Sequence, residues 1–128
     1  TPEDLGEPLD LSVIDVSFIS LKIVLPAVRN LLKSTGQVLC LIKPQFEAGK
    51  EKVGKKGVVR EASTHQEVLD NFVALADELG FKILGLTFSP VKGPEGNIEF
   101  LGHLTLAEAA GITPDTADVV AQAHKTLN

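Results

Sequence analysis

The sequence predicts an α/β fold whose sheet is mostly parallel and includes one antiparallel strand. Short apolar runs of strand length alternate along the chain with segments in which apolar residues recur every three or four positions. The last apolar run, by contrast, follows a connection that is too short to contain a helix. Apolar residues make up 44% of the 128 positions, which is enough for one domain with its own core.

The first half of the chain is predicted to form a strand, a helix and a second strand. Residues 11–15 are a short apolar run that ends in an acidic residue. Ser20 is a suitable N-cap for a helix whose apolar residues continue at helical spacing to Leu32, and Gly36 ends that helix. Residues 37–42 form the second buried strand. A helix that connects two strands in this way predicts a right-handed parallel crossover.

The second half adds another helix and a third strand. Ser63 or Thr64 is predicted to cap the helix, and its apolar stripe runs to Leu79. Gly80 then occupies the C′ position, where a left-handed residue commonly ends a helix. Residues 82–88 form the third strand, which is expected to run parallel to the second because a crossover helix precedes it.

The remaining segments predict an antiparallel strand and a terminal helix. Residues 89–96 are a turn-rich connection, so the fourth strand, residues 97–106, returns antiparallel beside the third. Residues 114–127 form the terminal helix. A buried first strand needs a neighbour on its other side, and residues 1–10 offer none. Because the chain also contains no methionine, we expect a fragment of a longer protein.

Charge is unevenly distributed along the chain. Residues 43–60 carry six basic and two acidic residues, a local net of +4, against six basic and fifteen acidic residues elsewhere, a net of −9. One basic loop on an acidic body predicts a localised contact with a polyanion, and on charge alone a solvated lysine loop is an equal alternative. The candidate contacts in this loop are Lys50, Lys52, Lys55, Lys56 and Arg60.

Other features disfavour several classes of function. The longest aliphatic stretch, residues 38–42, is far shorter than the roughly 20 residues that cross a bilayer, so no membrane partner is expected. The histidines His65, His103 and His124 lack metal-ligand spacing and cysteine partners, so no metal is expected. Cys40 is the only cysteine and lies in an apolar run, which indicates a buried thiol in a reducing, cytoplasmic setting.

Three ionisable residues from distant positions are predicted to converge. Asp15 ends the first strand and Lys43 follows the second, so both lie at the carboxyl edge of the sheet, where ligands bind in open α/β folds. Glu99 is near the start of the antiparallel strand, which begins at that same edge. Each has an ordinary alternative: Asp15 as a turn residue, Lys43 as a side chain reaching solvent, and Glu99 as an exposed strand residue. Their agreement on one edge favours a functional site.

Four segments resemble one family. DVSFISL (15–21), IKPQFEAG (42–49), GVVRE (57–61) and SPVKGPEGNIEFL (89–101) are similar to the TlyA branch of the FtsJ-type methyltransferases, whose members are often labelled haemolysins. The resemblance extends over residues 10–103. Family members carry an S4-type RNA-binding domain followed by a Rossmann-like methyltransferase domain with a Lys-Asp-Lys-Glu tetrad. The last three members of that tetrad correspond to Asp15, Lys43 and Glu99.

The resemblance also implies an organisation and a cofactor. It makes residues 1–106 the C-terminal half of a Rossmann-like methyltransferase domain and residues 107–128 a terminal helical segment of that domain. The first lysine, the Gly-rich S-adenosylmethionine loop and the acidic residue on the ribose would all precede Thr1. Only a wall of the cofactor site, Asp15, Val16 and Ser17, would remain. We therefore expect an enzyme in the full-length parent and an inactive fragment here.

The implied reaction is methylation of a ribose 2′-hydroxyl in ribosomal RNA. Lys43 can serve as general base if its pKa is lowered, or as a cation that stabilises the alkoxide, and both roles stay open. Asp15 and Glu99 would position the ammonium and the ribose, while the basic loop would hold RNA phosphates. For Glu99 to face Lys43, the fourth strand must lie between the second and third. That order is taken from the resemblance, since a hairpin alone equally allows a position outside the third strand.

Two functions of other classes are the alternatives. A membrane-lytic protein needs a spanning segment or a strongly basic amphipathic helix, and the sequence predicts neither. A non-catalytic RNA-binding or ribosome-associated module is the stronger alternative, because the chain lacks the cofactor loop. Methyl-transfer assays on the full-length parent distinguish an enzyme from such a module.

Overall fold

Strands and helices alternate along the chain in this computed structural model, which describes residues 9–14, 21–47, 59, 61–93, 96–108 and 110–127. Within those residues the elements, in chain order, are β1 (Leu9–Ile14), α1 (Leu21–Arg29), β2 (Leu32–Ile42), α2 (Pro44–Glu47), α3 (Ala62–Glu78), β3 (Lys82–Phe88), β4 (Phe100–Thr105) and α4 (Thr116–Leu127).

The described strands form one mixed sheet in the order β1-β2-β4-β3. β1 pairs with β2 in parallel, whereas β4 pairs antiparallel with both β2 and β3. Three of these strands therefore run in one direction, as the crossover helices predict. The expectation of a mostly parallel sheet is nevertheless wrong for the pairings, because β4 inserts between β2 and β3 and replaces a parallel contact with two antiparallel ones.

One face of the sheet is covered by helices and forms the core. Val38, Cys40 and Ile42 alternate along β2 with every side chain buried, and Phe100 and Leu104 continue this face on β4. Helix α3 packs on this face, where its Phe72 ring lies over Gly102 of β4. The opposite face keeps apolar side chains exposed, among them Leu11, Val13, Leu39 and Leu101.

The boundary between α1 and β2 differs from the prediction. Helix α1 ends at Arg29 rather than near Gly36, and Leu32 begins β2 by pairing with Leu9 of β1. The carbonyl of Gly36 accepts hydrogen bonds from the Leu106 N–H at 2.9 Å and the Thr105 hydroxyl at 3.1 Å. Pairing with strands on both sides thus takes these residues into the sheet, whereas the periodicity alone favoured helix.

The beginning of α3 differs from the prediction, and its end agrees with it. The N-cap is Glu61, whose side chain makes no capping hydrogen bond, so neither Ser63 nor Thr64 caps this helix. At the other end Gly80 has φ +82°. The Gly80 N–H donates to Asp77 at 3.1 Å and the Phe81 N–H donates to Ala76 at 2.9 Å. This is the Schellman arrangement that the glycine predicts.

The other elements follow the sequence closely. β3 occupies residues 82–88 as predicted, and β4 is a shortened form of the predicted strand 97–106. α4 begins at Thr116, where the carboxylate of Asp115 accepts a hydrogen bond from the Asp118 N–H at 3.1 Å. That contact is an N-cap, since it satisfies an amide that has no partner inside the helix.

Candidate active site

Lys43 lies at the carboxyl end of β2, where the sheet gives way to a short helix. Its carbonyl accepts hydrogen bonds from the Phe46 N–H at 2.9 Å and the Glu47 N–H at 3.1 Å, so the backbone at Lys43 is fixed as the start of α2. The side chain is half-buried. The predicted position of Lys43 at this edge is therefore correct.

Glu99 immediately precedes β4 and reaches the same edge. Ile42 and Phe100 are the last pair between β2 and β4, so Lys43 and Glu99 are each one residue beyond that pair on neighbouring strands. Side chains at such positions lie close together on one face of a sheet. The strand order that this arrangement requires, with β4 between β2 and β3, is confirmed. Only 6% of Glu99 is exposed, so it is not the solvent-facing residue that the alternative predicted.

A partly buried hydrogen bond holds the Glu99 carboxylate. The Gln45 side-chain amide donates from Nε2 to Glu99 Oε2 at 2.9 Å. The Glu99 backbone is also held, because its carbonyl accepts from the Ser89 N–H at 2.8 Å. An anionic acceptor with a fixed donor of this kind forms a stronger hydrogen bond than a neutral pair. The carboxylate thus has a defined orientation beside Lys43.

Gly93 provides the space that the Glu99 carboxylate occupies. A Cβ at Gly93 would lie 2.2 Å from Glu99 Oε2 and 2.4 Å from its Cδ. Neither Gln45 nor Gly93 was identified from the sequence as a site residue, although both belong to the segments that carry the family resemblance. The Gln45 role arises from a contact with a residue 54 positions away, and the Gly93 role from the close approach of the Glu99 carboxylate to its backbone. Neither contact follows from a local sequence pattern.

A second buried network connects the segment before α3 to the approach to β4. The Val59 N–H donates to Asn97 Oδ1 at 2.9 Å, and the Gly93 N–H donates to the Asn97 carbonyl at 2.7 Å. Asn97 is buried, so these contacts satisfy it. The network places Val59 close to the turn that supports Glu99.

Two histidines extend this network to the terminal helix. His65 Nε2 lies 3.0 Å from the Val59 carbonyl, and His65 Nδ1 lies 2.7 Å from His124 Nε2. A carbonyl only accepts, so His65 carries its proton on Nε2 and accepts from His124 on Nδ1. Burial of His65, together with the nearby His124, lowers the pKa of His65, and its bond to Val59 offsets part of that effect. His65 is thus held neutral in a structural role.

Glu47 connects α2 to the beginning of α1. Its Oε1 accepts a hydrogen bond from the Leu21 N–H at 2.6 Å, which is a contact between a carboxylate and the positive end of a helix. Burial, and secondarily the charge of Glu47, raises the pKa of the Cys40 thiol to about 12. The predicted burial of Cys40 is therefore correct.

The remaining sequence predictions for the site fall on residues outside those described. They are Asp15, Val16 and Ser17 for the cofactor wall, and Lys50, Lys52, Lys55, Lys56 and Arg60 for the polyanion contacts. The strand before Asp15 is described: Ile14 ends β1 and pairs with Cys40 of β2. The end of β1 therefore lies at the edge where Lys43 follows β2.

The described residues contain neither a metal site nor a membrane-spanning helix. Among them, no cluster of three or more His, Cys, Asp and Glu side chains could hold a metal ion. In that same part of the chain, each helix is too short or too polar to cross a membrane.

Comparison with known proteins gives consistent matches. "Putative rRNA methyltransferase YqxC" of Bacillus subtilis is 43% identical over 133 residues, which cover 99% of this chain and 47% of that protein. The 16S/23S rRNA (cytidine-2′-O)-methyltransferase TlyA of Mycobacterium tuberculosis is 42% identical over 100 residues, covering 78% of this chain and 37% of that protein. The chain therefore spans half or less of the length of these relatives.

Fold and family comparisons agree with these relatives. A structure described as "Putative hemolysin from Streptococcus thermophilus" superposes with a TM-score of 0.86 and 48% identity, covering 98% of this chain and 46% of that one. The model of the FtsJ-like methyltransferase family matches residues 1–106. That range contains β1 to β4 and both described members of the candidate site, Lys43 and Glu99. The chain belongs to the FtsJ-like methyltransferase family.

Proposed function

We propose that the full-length protein containing this chain is an S-adenosylmethionine-dependent ribose 2′-O-methyltransferase that acts on ribosomal RNA. The observation that carries the proposal is the placement of Lys43 beside the buried, hydrogen-bonded Glu99 at the carboxyl edge of the sheet. The names of the relatives from M. tuberculosis and Campylobacter jejuni, both rRNA (cytidine-2′-O)-methyltransferases, support the choice of reaction and substrate.

We further propose that residues 1–106 are the C-terminal half of a Rossmann-like methyltransferase domain and that residues 107–128 complete the same domain as a terminal helical segment. Packing supports the assignment of both segments to one domain, since α4 lies against α3 and His124 contacts His65. The buried, unpaired Cys40 is consistent with a reducing, cytoplasmic setting.

The donor set after β1 fits the proposed cofactor. Asp15 and Ser17 offer a carboxylate and a hydroxyl, which can bond to the amino and hydroxyl groups of S-adenosylmethionine. Because β1 and β2 are parallel neighbours, β1 ends at the edge that carries Lys43. When bound, S-adenosylmethionine supplies an electrophilic methyl group. Residues from the rest of the full-length protein, including a Gly-rich loop, would complete the cofactor site.

Lys43 and Glu99 supply the chemistry that a ribose hydroxyl needs. The hydroxyl is a weak nucleophile until its proton leaves, and Lys43 serves either as the base that accepts the proton or as the cation that stabilises the alkoxide. Glu99 positions the Lys43 ammonium and the ribose hydroxyl relative to each other. This matters because reacting atoms must be aligned for methyl transfer. The two roles of Lys43 differ in the protonation state that is active, so a pH–rate profile distinguishes them.

Replacement of Lys43 tests the proposal. In the full-length protein, Lys43→Met should lower the rate of methyl transfer to ribosomal RNA by roughly 100-fold or more, because general acid–base groups contribute that much. RNA affinity should stay close to wild type, since a single charge near the ribose contributes little to binding.

Lys82→Met is the matched control. Lys82 is an exposed lysine at the start of β3, on the opposite edge of the sheet, and its loss should leave the rate unchanged. A wild-type protein that binds ribosomal RNA but transfers no methyl group would instead identify a non-catalytic RNA-binding or ribosome-associated module.

A further inference from the structure

We propose that Gln45 and Gly93 form a seat for the Glu99 carboxylate and act as positioning residues for methyl transfer. The inference rests on the proposed function, because it assigns to these two residues the task of keeping Glu99 in its working orientation. We refer to Gln45 and Gly93 together as the carboxylate seat. The two come from opposite sides of the site, Gln45 from α2 and Gly93 from the connection between β3 and β4.

The first half of the argument concerns the direction of the Gln45 amide. An ionised carboxylate can only accept, so Gln45 must present its NH₂ group to Glu99 Oε2, at 2.9 Å. This leaves Gln45 Oε1 buried without a hydrogen-bond partner among the described residues. A buried acceptor without a partner is destabilising, and an apolar side chain of similar length would avoid that cost. The Gln45 amide is therefore oriented to hydrogen-bond the carboxylate, although this leaves its own Oε1 without a partner among the described residues.

The second half concerns the missing side chain at Gly93. A Cβ there would lie 2.2 Å and 2.9 Å from the two carboxylate oxygens of Glu99, well inside contact distance. The backbone cannot easily yield, because the Gly93 N–H donates to the Asn97 carbonyl at 2.7 Å and its carbonyl accepts from the Gly96 N–H at 3.1 Å. Any larger residue must displace the carboxylate.

Displacement affects orientation more than stability. The atoms in the way belong to the far end of the Glu99 side chain, which can rotate, whereas the surrounding turn keeps its hydrogen bonds. Rotation breaks the bond to Gln45 and moves the negative charge away from its place beside Lys43. Misplacement by about 1 Å is enough to slow an enzymatic step severely. The seat thus predicts variants that fold normally and react slowly.

Single substitutions in the full-length protein provide the first test. Gly93→Ala and Gln45→Met should each lower kcat for methyl transfer to ribosomal RNA by roughly 10- to 100-fold. KM for RNA should change by less than about threefold, and the melting temperature of Gly93→Ala should stay near that of wild type. Gly85→Ala is the matched control, because its new Cβ meets nothing nearer than the His103 Cβ at 4.0 Å. That control should have wild-type kcat.

A double-mutant cycle separates positioning from a general structural role. If the seat acts through Glu99, Gly93→Ala and Gln45→Met should cause no further loss of kcat when added to Glu99→Gln. The inference would be overturned if the losses of kcat multiplied in the double variants. It would also be overturned if both single seat variants had wild-type kcat. If Glu99→Gln itself has wild-type kcat, the catalytic assignment of Glu99 fails, and with it this part of the proposed function. The two failures are therefore distinguishable.

Discussion

At the scale of single residues, His65 shows how an ionisable group can be fixed in its neutral form. Both ring nitrogens are used, Nε2 toward the Val59 carbonyl and Nδ1 toward His124, in a position with no exposed surface. Protonation would turn the acceptor Nδ1 into a donor facing another N–H. The pair can therefore bind a proton only by losing a hydrogen bond or by exchanging tautomers.

The lowered pKa of His65 predicts a loss of stability in mild acid. The folded chain binds this proton less readily than the unfolded chain, whose histidine titrates near 6.5, so protonation favours unfolding as the pH falls below that value. Above it the contribution is fully present. The free energy of unfolding should therefore be lower at pH 5 than at pH 7 because of this residue.

Urea unfolding at both pH values measures this effect. In His65→Gln, the difference in the free energy of unfolding between pH 7 and pH 5 should shrink, although the variant is less stable overall. His103→Gln is the matched control, since that ring lies on the opposite face of the sheet and contacts Gln37. An unchanged pH dependence in His65→Gln would contradict the assignment.

The sequence predicted some site residues and missed others for a physical reason. Lys43 and Glu99 could be placed because strand direction alone determines which edge a strand end reaches. Gln45 and Gly93 could not be predicted. Gln45 contacts a side chain 54 positions away, and the contact of Gly93 with Glu99 depends on how the folded backbone holds Gly93 against that carboxylate. The burial of Glu99 could not be predicted either, because the alternation of polar and apolar residues in the predicted strand puts Glu99 on the polar face.

At the scale of elements, the contact between α3 and β4 depends on a missing side chain. Gly102 lies in the middle of β4, and the Phe72 ring fills the space above it. Glycine weakens a strand by its flexibility, so its presence in a buried strand indicates a close approach. Here the approach is that of a helix to the sheet.

Gly102→Ala should therefore destabilise the fold by about 1–3 kcal/mol, the usual cost of overpacking a core. The new Cβ would lie 2.6 Å from Phe72 Cζ and 2.8 Å from its Cε2, and the ring has no exposed side to move toward. Urea unfolding of the purified chain measures the change. Gly85→Ala on β3 is the control and should be neutral or slightly stabilising, because its Cβ would make only an ordinary van der Waals contact with the His103 Cβ at 4.0 Å. Equal free energies of unfolding for the two variants would contradict this prediction, because α3 would then move away from β4 without loss of stability.

Elements with strong local signals were predicted well, and those settled by tertiary pairing were not. β3 needed only its own apolar run between Gly80 and the turn after Phe88. The boundary of α1 depended instead on Leu32, which has a helical spacing but is held by Leu9 of β1. Such competition between a local period and a distant partner cannot be judged from one segment.

At the scale of the whole molecule, the uneven distribution of charge along the chain predicts where the proposed RNA contact lies. Lys55→Ala with Lys56→Ala in the full-length protein should weaken RNA binding and lower the slope of log affinity against log salt by up to about 2, because each phosphate contact contributes nearly one unit. Titrations at several salt concentrations measure both. Lys82→Ala with Lys125→Ala removes the same charge from exposed positions elsewhere and should have little effect. Wild-type affinity of the first variant at every salt concentration would exclude the basic loop from RNA binding.

The overall topology was the part of the fold that local reasoning could least determine. The direction of each strand followed from its connection, but the place of β4 did not, since a hairpin with β3 permits either side. Similarity to a family supplied the order that the structure confirms. The balance of parallel and antiparallel pairs, which the sequence predicted wrongly, is a direct consequence of that one placement.

The central place of β4 also sets the order in which the chain can fold. Phe100 has two partners: Phe88, a short way behind it in the chain, and Ile42, much further behind. During synthesis the β3–β4 hairpin can close as soon as both strands emerge, because loop closure over a short distance is fast. Until β4 docks on β2, β2 carries an unpaired edge on that side, which leaves an apolar strand open to association with other nascent chains. Docking of the closed hairpin onto β2 is thus the step that covers this edge of the growing polypeptide.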